Sequence, residues 1–293
     1  MNDALTTAVE CVWPLGAELG EGAVWVAAER AVWFVDIKGR RIHRFNVDTG
    51  EKTSWDAPAQ PGFIAPIAGG GFVCGLQGGL HQFDPATGAF TQLSPVEAHL
   101  AENRINDGHV GADGRLWFGT MHDSEAGATG TLYSWTGAGE PTAHDADYGI
   151  TNGPAISPDN RTLYHTDTQA RTIYAFDLAP DGALSSKRVF LRIENGHPDG
   201  MAVDAEGCLW VALFGGWGIE RYSPRGVLLG KVDFPCANIT KLAFAGDGLR
   251  DVYATTAWLH LSAAERAQQP QAGGLFHFRV DTPGLPQAFL HVR

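Results

Sequence analysis

Six stretches of this chain share one grammar, beginning at Glu21, Gly62, Asn106, Asn152, Asp199 and Thr240, so that successive starts lie 41, 44, 46, 47 and 41 residues apart. Each opens on a short apolar run and turns at a polar pair such as Asp113-Gly114, Asp159-Asn160, Glu206-Gly207 or Asp247-Gly248. A second apolar run follows ("LWF", "LYH", "LWV"), then a loop, then a third ("RIHRF", "TIYAF", "IERY") that ends in another polar turn. That period matches a four-stranded propeller blade and is too long for a leucine-rich or ankyrin repeat. The expected fold is therefore all-β, a six-bladed β-propeller of four-stranded blades around a central channel, with residues 1–293 forming one domain. A helical alternative fails because Gly and Pro interrupt every window longer than about ten residues. The leftover N-terminal "AVECVWPL" is expected to add the outer strand to the last blade, closing the ring and removing an exposed edge.

Composition agrees with such a fold: 44% hydrophobic and 18% charged residues, with 37 Gly, 9 Trp and 15 Phe, describe a globular chain rich in turns and strand-forming aromatics. A formal net charge of -12, with no Lys/Arg cluster, argues against a nucleic-acid partner. The opening "MNDALTTAVECVW" lacks the basic and apolar regions of a signal peptide, and no apolar run approaches the length of a membrane span. Cys11, Cys74, Cys208 and Cys236 are far apart and form no C-x-x-C pair; they read as free thiols of a reducing cytoplasm, a secreted disulfide pair being the competing reading. A cytoplasmic location is the expectation. The oligomeric state is not legible.

In a propeller the first strand of every blade lines the channel, so equivalent positions converge on one axis. Around the ring that position holds Glu21, the Gly62-Phe63 pair, Asn106, Asn152, Asp199 and Thr240. Two carboxylates and two carboxamides thus meet. Each Asn or Asp alone is ordinary turn chemistry, but turn residues have no reason to hold one register in four blades of six. All-oxygen donors suit a hard cation such as calcium, magnesium or manganese better than a structural zinc site. Arg104, two positions before Asn106, lies on the same side of an extended backbone, where its planar fork can bind a polar ligand; the alternative is a solvated strand end. Loops on the channel-mouth face carry Met121, His122, Asp123 and Ser124, then Gly215–Trp217, and finally a long insertion from about 258 to 273, which reads as a lid or wall. His122 is a candidate ligand contact. His43, His81, His144, His165 and His277 lack ligand spacing, and the chain has no G-x-S-x-G elbow, H-E-x-x-H or Walker loop.

The motifs "LGEGAVW", "FVDI", "NRINDGHVGADGRLWFGTM", "ITNGPAISPD", "PDGMAVDAEGCLWVA" and "AGGLF", in this order from about residue 10 to about 280, resemble those of the regucalcin (senescence marker protein) and gluconolactonase family. The resemblance implies a six-bladed propeller that hydrolyses sugar lactones with one divalent cation in the channel. It assigns Glu21, Asn152 and Asp199 to the metal, and Arg104 and Asn106 to the substrate. The identity of the ion (calcium, magnesium, manganese, zinc or iron) stays open. One departure stands out: where regucalcin-like members place a substrate-contacting Glu after "GTM", this chain has Ser124, flanked by Asp123 and Glu125. The loops "FGTMHD" and "YHTDT" look closer to bacterial members acting on pentono- and hexonolactones.

The mechanism so implied is metal-assisted ester hydrolysis with Asp199 as the proton-transfer residue. Two readings compete: a regulatory propeller holding calcium without turnover, against which the polar mouth argues, and an aryl-ester hydrolase, which calls for a more apolar pocket.

Overall fold

A computed structural model of the protein describes residues 8–292. Six four-stranded antiparallel sheets follow one another along the chain. Their first strands are Gly20–Val26, Pro61–Pro66, Asn103–Val110, Thr151–Ile156, His197–Val203 and Asn238–Ala245, here called the inner strands of blades 1 to 6. Each inner strand contacts that of the blade before and the blade after, and the sixth contacts the first, so the six form a closed ring around a channel. Blade 6 is completed by Glu10–Trp13, which pairs antiparallel with Leu275–Arg279, as expected of the N-terminal segment.

The core consists of layers between blades. One apolar cluster joins each neighbouring pair: Trp33 with Phe72 between blades 1 and 2, Phe63 with Phe118 between 2 and 3, and Trp210 with Phe244 between 5 and 6. This explains why the inner and second strands read as continuous apolar runs: they are covered on both faces. An outermost strand such as Lys52–Asp56 shows instead the alternating exposure of a half-solvated sheet. All four cysteines are free thiols. Among the described residues no helix is long and apolar enough to cross a membrane.

The channel has two unlike ends. At the end where the inner strands begin, polar side chains fill it. At the other lies a cavity of about 420 Å³ with aliphatic walls that include Val24, Ile64, Val110, Ile156 and Val203, floored by the C-terminal segment Leu285–Ala288. That segment crosses the base of the ring: Gly284 bridges Asp204 of blade 5, and Leu290 bridges Ile67 of blade 2.

Candidate active site

Every inner strand loses register with its neighbour just inside the polar end. The breaks fall between Glu21 and Val24, Pro61 and Phe63, Ile105 and Gly108, Asn152 and Ala155, Pro198 and Met201, and Ile239 and Lys241. A bulge leaves residues of one strand without a cross-strand partner and re-aims their side chains. Six bulges at one level therefore turn into the channel side chains that a regular strand would send between blades. Glu21, Asn106, Asn152 and Asp199 sit on or beside these bulges, and all four are buried. The other two blades use the position differently. Gly62 is there because the Asn106 carbonyl oxygen would lie 2.1 Å from any Cβ, and the Thr240 hydroxyl donates to the Gly20 carbonyl, tying blade 6 to blade 1.

The Glu21 and Asp199 carboxyls lie close enough for each to act on the other's ionisation. Burial first, and then the charge of Asp107, push the Glu21 carboxyl up to about 8. Burial and the charges of Glu21 and Asp107 raise that of Asp199 well above the usual carboxylate range. In the protein alone both carboxyls therefore resist ionisation. Asp199 Oδ1 is fully buried with no hydrogen-bond partner. Asp107 and Lys241, which complete this group, were not singled out along the sequence. Lys241 Nζ donates to Asp107 Oδ2 at 2.5 Å, and both side chains are buried. Asp107 hides in an Asn-Asp-Gly turn signal; the one available cue to Lys241 was a lysine directly after the ring position of Thr240, in an otherwise apolar strand.

Three carboxylates against one ammonium leave two uncompensated negative charges when ionised, which is the charge of a divalent cation. The unpartnered Oδ1, the oxygen-only donors and this charge balance fit such an ion held by Glu21, Asp199 and Asn152. Among the described residues no three His, Cys, Asp or Glu side chains make a metal site by themselves; the third donor here is an amide.

Around this centre runs a belt of directed hydrogen bonds. Arg104 is buried, donating from Nε to Asp123 Oδ1 at 2.7 Å and from Nη1 to Asn106 Oδ1 at 2.5 Å. Its reach to Asn106 is the same-side relation expected from the spacing, but much of its fork serves other side chains; no partner for Nη2 occurs among the described residues. Asn106 Nδ2 donates to the Thr151 carbonyl (2.6 Å) and to Asn152 Oδ1 (2.9 Å). Asp123 also accepts from Lys38 (2.7 Å) and Gln60 (3.0 Å). Burial raises its carboxyl, but the bonds from Lys38 and Gln60 and the charge of Arg104 outweigh this and hold it down to about 2. The acid of this loop that meets Arg104 is thus Asp123, whereas Ser124 is exposed and bonds to His122 Nδ1 at 3.0 Å. His122 ends the second strand of blade 3, at the level of Asn103 beside Arg104.

The long loop of blade 6 contains a short helix, Ala263–Gln268, capped by Ser262. Before it, His260 reaches the Glu125 carboxylate of blade 3 at 3.4 Å and packs against Phe214 of blade 5. The loop therefore spans the mouth and forms a wall over it, as its length suggested.

The sequence profile of the SMP-30/Gluconolactonase/LRE-like region matches residues 19–258. A 6-deoxy-6-sulfogluconolactonase from Pseudomonas putida is 32% identical over 98% of this chain and 98% of its own length. An L-arabinolactonase from Azospirillum brasilense is 34% identical over 92% of this chain and 91% of its own. Among solved structures, the calcium-binding protein regucalcin from Agrobacterium tumefaciens superposes with a TM-score of 0.93 at 28% identity, covering 97% of this chain and 98% of that one.

Proposed function

Since the chain belongs to the SMP-30/gluconolactonase/LRE-like family, we propose that it is a sugar lactonase that opens a pentono- or hexonolactone to the aldonic acid with the help of one divalent cation. The observation that carries this reading is the buried Glu21–Asp199 pair, short of two positive charges and set in a polar, walled mouth. Relatives that act on gluconolactone- and arabinolactone-type substrates support the same reaction class.

Glu21, Asn152 and Asp199 would hold the ion, which when bound supplies Lewis-acid polarisation of an ester carbonyl. The remaining chemistry falls to the protein. The Asp199 carboxylate, whose two oxygens allow it to hold the ion through one and reach the water with the other, is the group that takes a proton from the attacking water and returns it to the ring oxygen as the C–O bond breaks. Two positive charges beside it favour the ionised form that this role needs. Asn106, fixed by Arg104, has one lone pair left on Oδ1, and Arg104 Nη2 offers a donor; both suit sugar hydroxyls. His122 adds a ring nitrogen at the rim, and the 258–273 wall limits access of bulk water.

Initial rates over a panel of aldonolactones, measured with metal-stripped and metal-restored protein, test the reading. Turnover of at least one lactone well above the buffer rate, lost on stripping and recovered on restoration, is expected. Folded, metal-loaded protein that accelerates none of them would leave the regulatory calcium-binding alternative instead.

A further inference from the structure

An asparagine serves a cation only through its carbonyl oxygen, because the amide nitrogen carries donors and no acceptor. Something must hold the Asn152 carboxamide with the correct end inward. Two anchors do so, one on each side, and each is chemically unambiguous.

The first anchor is Arg104, whose guanidinium has donors only. The Asn106 atom that meets its Nη1 is therefore an oxygen, so the Asn106 NH₂ faces the Thr151 carbonyl and Asn152, and the Asn152 atom that receives it is again an oxygen. The second anchor is Thr168. Its hydroxyl has a single proton, which goes to the Pro198 carbonyl oxygen at 2.7 Å. Thr168 Oγ1 is then an acceptor, and what approaches it at 2.9 Å must be the NH₂ of Asn152. Thr168 is buried, and its own backbone is tied down at both ends: its N–H donates to the Ile150 carbonyl, and its carbonyl lies 3.2 Å from His197 Nδ1. The carbonyl it grips belongs to the peptide that leads into Asp199, so one hydroxyl bridges the amide donor of blade 4 and the carboxylate donor of blade 5.

We propose that Thr168 is a positioning residue for the cation site: its hydroxyl locks the Asn152 carboxamide with Oδ1 toward the channel and holds that side chain to the Asp199 backbone. The proposal rests on the cation reading above. Partners of this kind orient metal-binding side chains, and their loss typically weakens binding about 10- to 100-fold.

The test is calorimetric titration of metal-stripped protein with Mn²⁺ and with Ca²⁺ at 25 °C, on Thr168→Val, Thr168→Ala and Thr168→Ser. Valine keeps the branched shape and removes the hydroxyl; alanine serves if valine does not fold. Either change is expected to raise the metal Kd about 10- to 100-fold, while serine, which keeps the hydroxyl, stays within a few-fold of the parent. At saturating Mn²⁺ the Val variant should recover most of kcat/KM, since both hydrogen bonds of the hydroxyl go to protein groups. A merely structural role would lower the melting temperature with Kd unchanged. The proposal is overturned by parental Kd in folded Val or Ala protein, or by a Ser variant as weak as Val. Failure of the parent itself to bind either ion overturns the cation reading, and this inference with it, and is distinguishable because it precedes any comparison of variants.

Discussion

A buried carboxylate beside another carboxylate stays protonated until a cation relieves it, and Glu21 is placed in that situation by its burial and by the charge of Asp107. Its ionisation sits near 8 in the folded protein against an ordinary value of 4.5. A raised folded-state value means that the metal-free protein carries this stabilisation in full below about pH 4.5 and loses it as the pH rises through about 8, by up to about 1.4 kcal/mol per pH unit for each proton held. The melting temperature of chelated protein is thus expected to fall across that window, and Glu21→Gln to flatten the slope; an unchanged slope in the variant would count against the assignment. Metal binding runs the other way and tightens with pH, because the ion must displace the proton. Glu21→Gln and Asp199→Ala are each expected to lose metal and lactonase activity while remaining folded, since the core lies between the blades and not in the channel. Arg104→Ala should lower kcat/KM about 10- to 100-fold, the size of a lost charge-assisted hydrogen bond of about 1.5–3 kcal/mol. It should keep its metal, because Thr168 bonds the Asn152 amide directly, whereas Arg104 reaches it only through Asn106, which the Thr151 carbonyl still holds; loss of metal would make Arg104 a support of the ion and not a reader of substrate. Residue identities at the ring position were legible because repetition exposed them. Asp107 and Lys241 were not, because an Asp in a turn signal and a Lys in a strand each have commoner explanations, and only their 2.5 Å contact across the channel gives them meaning.

Strand grammar was legible almost blade by blade, since turn pairs and apolar runs are local signals. Closure by the N-terminal segment was legible too, as a leftover strand facing an unpaired edge. Deleting residues through Trp13 would expose the edge of Leu275–Arg279 and uncover Phe34 and His43, against which the Trp13 ring packs edge-on. The expected result is a melting temperature lower by several degrees and a concentration-dependent tendency to aggregate, read by calorimetry and light scattering; an unchanged melting profile would mean that the ring needs no such strand. The bulges were illegible, because a register break depends on the partner strand. Gly200 is a case in point: in "PDG" it reads as a turn residue, yet a Cβ there would lie 2.7 Å from the Thr240 carbonyl oxygen and 2.2 Å from the Lys241 side chain of the next blade.

For the whole molecule, a ligand that binds only the folded state adds stability by mass action, about 2.7 kcal/mol at a hundredfold excess over its Kd. Chelation is expected both to abolish lactonase activity and to lower the melting temperature by the corresponding amount, with different divalent ions restoring the rate to different extents. A melting temperature indifferent to chelator would remove the ion from the folded state altogether. The sequence by itself determined the six-fold repeat, the closed all-β ring and the set of oxygen-bearing residues at one level of it, since these follow from local periodicity and from the geometry that any such ring imposes. Only the tertiary structure decided which of those side chains face the axis, that Thr240 closes the ring instead of joining the centre, and that Asp123 and not Ser124 meets Arg104. It also decided that the end of the channel away from the carboxylates holds a cavity with aliphatic walls. These outcomes depend on bulges and hydrogen bonds between blades, contacts between residues far apart in the chain, which no local pattern encodes.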